Sequence, residues 1–193
     1  WEFTSLSNER DRPALSLPIA QSIVDLLTAY GWRESRQNPI TVRDETPTPL
    51  QPLVLANGVV GNRITRLSDD SAITALCLND RPLPDLVRAV YRQVLSRDPC
   101  DMELDMFVEL LGGGYDGRRK AGAENQTVRQ LAKASAVSWS NHLSPEATRL
   151  KLDQERAARA GDPPTARIER DWRERMEDML WVLMNSPEFV FVP

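Results

Sequence analysis

One apolar spacing recurs along the chain and restricts the fold more than any other feature. Leu83, Val87, Val90 and Val94 fall at offsets 0, 4, 7 and 11, and Trp172, Met176, Met179 and Leu183 repeat them. Ile19, Ile23, Leu26 and Tyr30 do so again, with Leu27 at offset 8. Steps of three and four gather side chains on one face of a helix, whereas a half-buried strand needs alternation by two. No alternating run persists and no solenoid period emerges. The expected fold is therefore all-α, an irregular multi-helix domain with long proline-rich loops.

Helix starts and stops divide this pattern. Pro18 suits a first turn and Gly31 an end. Over 32–52, Pro39, Pro47, Pro49 and Pro52 forbid a regular helix and imply a long loop. The next helix is expected from about Leu53 to Leu67, with Leu53, Ala56, Val60, Ile64 and Leu67 on one face. Gly58 and Gly61 inside it each cost about 1 kcal/mol relative to Ala and mark a break or a close backbone approach. "LSDDSAITALCL" restarts a short helix, with Ser68 or Asp69 as cap.

A helix over 83–97 stops before Pro99. Cys100 then takes a cap position with Glu103 in the capping-box place. Phe107, Val108 and Leu111 form that helix's apolar side, and Gly112, Gly113 and Gly114 end it. "DGRRKAGAENQ" reads as a flexible connector, after which Val128, Leu131 and Ala132 resume a helix towards Trp139. Ser144, Pro145 and Gly161 bracket a charged, outward-lying helix. The last long helix is expected from about Thr165. It would begin with Arg170, Arg173 and Glu177 in water and enter the core on all sides from Met179 to Met184. Asn185 suits its stop, and Ser186-Pro187-Glu188 allows one more turn that aims Phe189 at the core.

Composition narrows the functional classes. Net charge is −4, and no Lys/Arg block has the density of a phosphate-binding stripe, so no nucleic acid partner is expected. No apolar run approaches the roughly 20 residues of a membrane helix. Cys77 and Cys100 flank opposite ends of a helix about 20 Å long, so no disulfide is expected unless a folded-back connector brings them together. Without Cys-x-x-Cys-His, and with one histidine, no haem and no structural zinc site are expected in this chain.

Two clusters carry candidate chemistry. Trp139, Asn141, His142 and Glu146 are the catalytic candidates: His142 and Glu146 as acid and base, Trp139 as a sugar platform. The competing reading is a loop whose Asn and His satisfy backbone groups before Ser144 caps a helix. Trp32, Arg33, Arg36 and Arg43 are the binding candidates, since guanidinium groups grip anions in fixed geometry. The competing reading has them tying a proline-rich loop to nearby carbonyls and carboxylates. "DWRERMED" reads as a solvated face with pairs such as Glu169–Arg173 and Asp171–Arg175. "GGGY" lacks the spacing of a phosphate loop.

Several stretches together point to one family: "LTAYGWRESRQNPITVRDETPTPLQPLVLANG" at 27–58, "AVYRQVLSRDP" at 89–99, "VSWSNHLSPEA" at 137–147 and "GDPPTARIERDWRERMEDMLWVLMNSPEFVFVP" at 161–193. They resemble the C-terminal domain of unknown function of planctomycete cytochrome-associated proteins (planctomycete cytochrome C domain-containing, PSD-type). The resemblance runs from about residue 15 to the end, and Cys100 departs from the Ser or Thr expected after the "SRDP" turn. It implies that 1–14 is the tail of an upstream segment or linker and that 15–193 is a single helical C-terminal module. It further implies export to the periplasm or cell surface, with any haem in an upstream domain. It transfers no catalytic residue. The expected function is a non-catalytic scaffold or docking module of a larger exported protein, partnered by other domains or subunits of an extracytoplasmic complex. The rivals are a module of an enzyme acting on extracellular polysaccharide and an accessory that docks a cytochrome.

Overall fold

Helices form where the apolar spacing is strongest and fall short where a distant partner claims the backbone. The computed structural model describes residues 26–31, 46–122 and 143–191. The fold is all-α: the described residues form helices and no strand, with two isolated bridges, Ser68 with Pro164 and Arg119 with Ile168. The chain divides into two compact units, residues 1–63 with 131–161 and residues 64–130 with 162–193.

In the first unit, helical residues 26–29 end at Gly31, whose φ of 82° is left-handed. Helix α1 (Leu50–Asn57) starts three residues before the expected Leu53. Pro52 falls in its first turn, where a missing N–H breaks no helical bond. Gly58, with φ −78° and ψ 162°, separates α1 from α2 (Val59–Thr65), so the expected single helix is two. A methyl on Gly58 would strike the Val54 carbonyl oxygen, and one on Gly61 would strike that of Leu55. The buried face of α1 is not the expected one: Leu55 is buried while Leu53 is exposed, and Ile64 of α2 is exposed as well. Helix α6 (Pro145–Ala160) follows its sequence signals. Ser144 Oγ accepts from the Ala147 N–H at 3.1 Å, and Gly161 leaves the helix at φ 66°.

The second unit holds α3 (Ala72–Leu78), α4 (Leu83–Leu95), α5 (Asp101–Gly112), α7 (Arg170–Met184) and α8 (Pro187–Val190). Its core joins Leu86, Val87 and Val90 of α4, Phe107 and Leu111 of α5, and Trp172, Met176, Met179, Leu180 and Leu183 of α7. Tyr91 meets Phe107 edge-on with centroids 5.9 Å apart. The buried Trp172 Nε1–H is satisfied by the Leu111 carbonyl at 2.9 Å. Cys100 and Glu103 form the expected capping box, with Glu103 accepting from the Cys100 N–H at 2.8 Å. Both cysteines are free thiols.

Several boundaries differ from expectation because partners far along the chain intervene. Ser71 takes the N-cap position of α3 without a side-chain capping bond, and Asp69 instead accepts from the Thr165 hydroxyl. Helix α7 starts five residues after Thr165. The Thr165 N–H bonds to the Leu67 carbonyl at 2.7 Å and the Glu169 N–H to the Arg118 carbonyl at 2.7 Å. Within the expected connector the Arg118 side chain is buried while residues 116, 117, 119 and 120 are exposed, and 123–126 lie outside the described residues. Arg173 and Glu177 lie mostly out of water, and the last turns of α7 do not enter the core on all sides. Trp181 is 44% exposed and Val182 47%, while Met179, Leu180 and Leu183 continue the buried face.

The closing turn forms as expected, with Ser186 Oγ accepting from the Phe189 N–H at 3.3 Å. Val190, rather than Phe189, is its buried side chain, and Phe191 is exposed.

Candidate functional site

Helix α5 carries two apolar stripes. Leu104, Phe107, Val108 and Leu111 face the core, where α5 packs against α4 and α7. Met102, Met106 and Leu110 form a second stripe at offsets 0, 4 and 8, with 81%, 51% and 38% of their surface exposed. At 100° per residue the three fall within roughly 80° of one another. The sequence already held this signal, but an i, i+4, i+8 set beside a stronger apolar face reads as part of the core.

Every ionised side chain on α5 is acidic: Asp101, Glu103, Asp105 and Glu109. Asp101 and Glu103 have a structural reason, since carboxylates in a first turn complement the helix N-terminus. Glu103 also accepts from Arg97 Nη1 and Nη2 at 2.8 Å each. That guanidinium holds its carboxyl down at about 2. Asp105 and Glu109 are exposed and border one side of the Met102–Met106 stripe. Among the described residues no cation pairs with Asp101, Asp105 or Glu109.

The other ionised clusters serve the fold. Arg97 also grips Glu188 through Nε at 2.7 Å and lies 5.3 Å from the Tyr91 ring centroid, so one guanidinium ties α8 to the start of α5. Glu177 accepts from the Leu67 N–H at 2.8 Å, with Arg173 Nε 3.7 Å away, and burial pushes its carboxyl up. The helical pairs on α7 are Arg170–Glu174 and Arg173–Glu177. Glu169 pairs instead with Lys120, and Arg175 donates to the Gly113 carbonyl. Burial pushes the Cys77 thiol up to about 12, which makes it a poor nucleophile. Among the described residues no three His, Cys, Asp or Glu side chains are grouped to hold a metal, and no helix is long and apolar enough to cross a membrane.

Of the candidates drawn from sequence, Trp139, Asn141, His142, Trp32, Arg33, Arg36 and Arg43 lie outside the described residues. Glu146 is exposed in the first turn of α6, a position where an acid suits the helix N-terminus. The α5 face, by contrast, lies wholly within the described residues.

The family profile described as PSD1, protein of unknown function (DUF1553), matches residues 2–111. That range includes α1 to α4 and nearly all of α5; the quoted 137–147 and 161–193 stretches lie beyond it. No curated protein and no solved structure matches the chain.

Proposed function

The chain belongs to the PSD1 family of proteins of unknown function, and on that footing we propose that it is a non-catalytic helical docking module of a larger exported protein. Its setting is the periplasm or cell surface of a planctomycete-type bacterium, with a c-type cytochrome domain elsewhere in the polypeptide. Its partners are other domains or subunits of that extracytoplasmic assembly. The observation that carries this reading is the exposed Met102–Met106–Leu110 stripe. Single exposed apolar side chains are ordinary, but three aligned on one helix face form a surface that a partner can cover. Methionine suits such a face because its unbranched thioether adapts to the shape it meets.

The test places a photo-crosslinking residue at Met106, or at the exposed Arg149 of α6 as a control, in cells making the full-length protein. The expected result is a discrete adduct to another domain or subunit from position 106 only. Equal labelling at both positions, or none, would remove the docking face. Turnover of a polysaccharide by the purified chain, abolished in His142→Ala with an unchanged melting temperature, would establish the enzyme reading instead.

A further inference from the structure

Resting on that docking reading, we propose that the α5 face receives a positively charged amphipathic polypeptide helix. Asp105 and Glu109 stand one turn apart, about 6 Å along the axis at 1.5 Å per residue. Both are exposed and border the stripe of Met102 and Met106. A partner helix with Lys or Arg at positions i and i+4 beside an apolar stripe matches both features at once. Its apolar side chains cover the thioethers while its cations meet the two carboxylates.

The same charges argue against other occupants. Anionic lipid headgroups and nucleic-acid phosphates would meet Asp101, Asp105 and Glu109 with like sign. A second copy docking through this face would oppose acid to acid across a two-fold axis. Asp101 and Glu103 are accounted for by the helix terminus and by Arg97. Asp105 and Glu109 have no such structural role among the described residues and are exposed, so a partner's cations can reach both.

The experiment titrates the 193-residue chain with three fluorescent amphipathic peptides that share one leucine stripe. Their polar positions are Lys and Arg, Gln, or Glu. The basic peptide is expected to bind about tenfold or more tightly than the neutral one, with the advantage shrinking as salt is raised. Asp105→Asn with Glu109→Gln should erase that advantage and keep the neutral peptide's affinity. Met102→Ser with Met106→Ser should weaken both. These exposed changes are checked against the parent melting temperature. Equal binding of basic and neutral peptides would overturn the charge assignment while the docking face stands. Binding of no peptide, or binding indifferent to both pairs of substitutions, would overturn both. Preferential binding to anionic vesicles, or self-association lost in the methionine variant, would overturn the basic-helix assignment.

Discussion

Arg118 is held by backbone carbonyls. Its guanidinium donates to the carbonyls of Cys77, Asn79 and Tyr115 at 2.8 Å each and lies 3.8 Å from the Tyr115 ring centroid. Arg118→Ala would leave those acceptors facing a void, so unfolding in urea should show a loss of about 3–5 kcal/mol. Arg118→Lys should recover little of it, because one ammonium cannot span three carbonyls that a planar fork reaches together. A Lys variant as stable as the parent would show that packing, not the fork, matters. This role was hidden in the sequence: two of the three carbonyls come from residues 39 and 41 positions earlier, and "GRRK" beside glycines looks solvated. The Cys100–Glu103 capping box and the glycine stops at 31 and 161 were legible because each is settled within a few residues. Glu177 offers a second test. Burial raises its carboxyl above the ordinary 4.5, so its contribution to stability is full below that pH and is lost as pH rises through the raised value. The stability of the parent relative to Glu177→Gln should therefore grow as the pH is lowered from neutral towards 4.5. The opposite trend would mean that Arg173, not burial, governs this carboxyl. Glu177→Ala, which orphans the Leu67 N–H, should cost about 1–3 kcal/mol at neutral pH.

For the elements, periodicity identified the helices and most of their buried faces, but it did not carry phase across a break. The 0, 4, 7, 11 set of α7 is buried throughout. Trp181 and Val182 are as apolar as their neighbours, yet they sit off that face and remain half in water. At Ser186 the helix restarts and the residue that turns inward is no longer set by the preceding spacing, while in α1 the buried face is simply not the one the apolar spacing marked. Leu55 is buried while Leu53 is exposed, and Val190 is buried while Phe189 is half-buried. The same ambiguity concealed the exposed α5 stripe, since three apolar residues at helical spacing look alike whether or not anything covers them. Nor does local spacing reveal that residues 165–169 pair with Leu67 and Arg118 instead of extending α7. The closing turn provides the test at this scale. Val190→Ala should cost about 1–3 kcal/mol, and Phe191→Ala should be near neutral in a thermal melt. The reverse order would show that the aromatic tail, not Val190, anchors α8 to its neighbours in the second unit.

Across the whole molecule, the ionised groups set opposite limits in acid and base. Hydrogen bonds from arginine lower the carboxyls of Asp98, Glu103, Glu174 and Glu188, and one from Lys120 lowers that of Glu169. Each lowered carboxyl contributes stability above its ordinary value, 3.8 for Asp and 4.5 for Glu. That contribution is lost as pH falls through the lowered value, about 2 for Glu103. Glu177 has the opposite sign, and its gain is complete by pH 4.5, before this loss begins. In base, burial pushes the Tyr91 hydroxyl up from 10 to about 12, so its contribution is present below 10 and disappears as pH rises through about 12. Burial raises the Cys77 thiol from 9.0 to about 12 in the same sense, so apart from the Glu177 rise towards acid the urea midpoint should be level between about 4.5 and 9 and fall on both sides. Exposed ion pairs are screened by water, so the acid limb should belong mainly to the less exposed carboxylates. The Glu103 side chain is 29% exposed and sits in the Arg97 hub, whereas that of Glu174 is 50% exposed in a single helical pair. Glu103→Gln should flatten the acid limb, and Glu174→Gln should leave it nearly unchanged. Equal flattening by the two would mean that summed surface charge, rather than the Arg97 hub, controls how the molecule responds to acid.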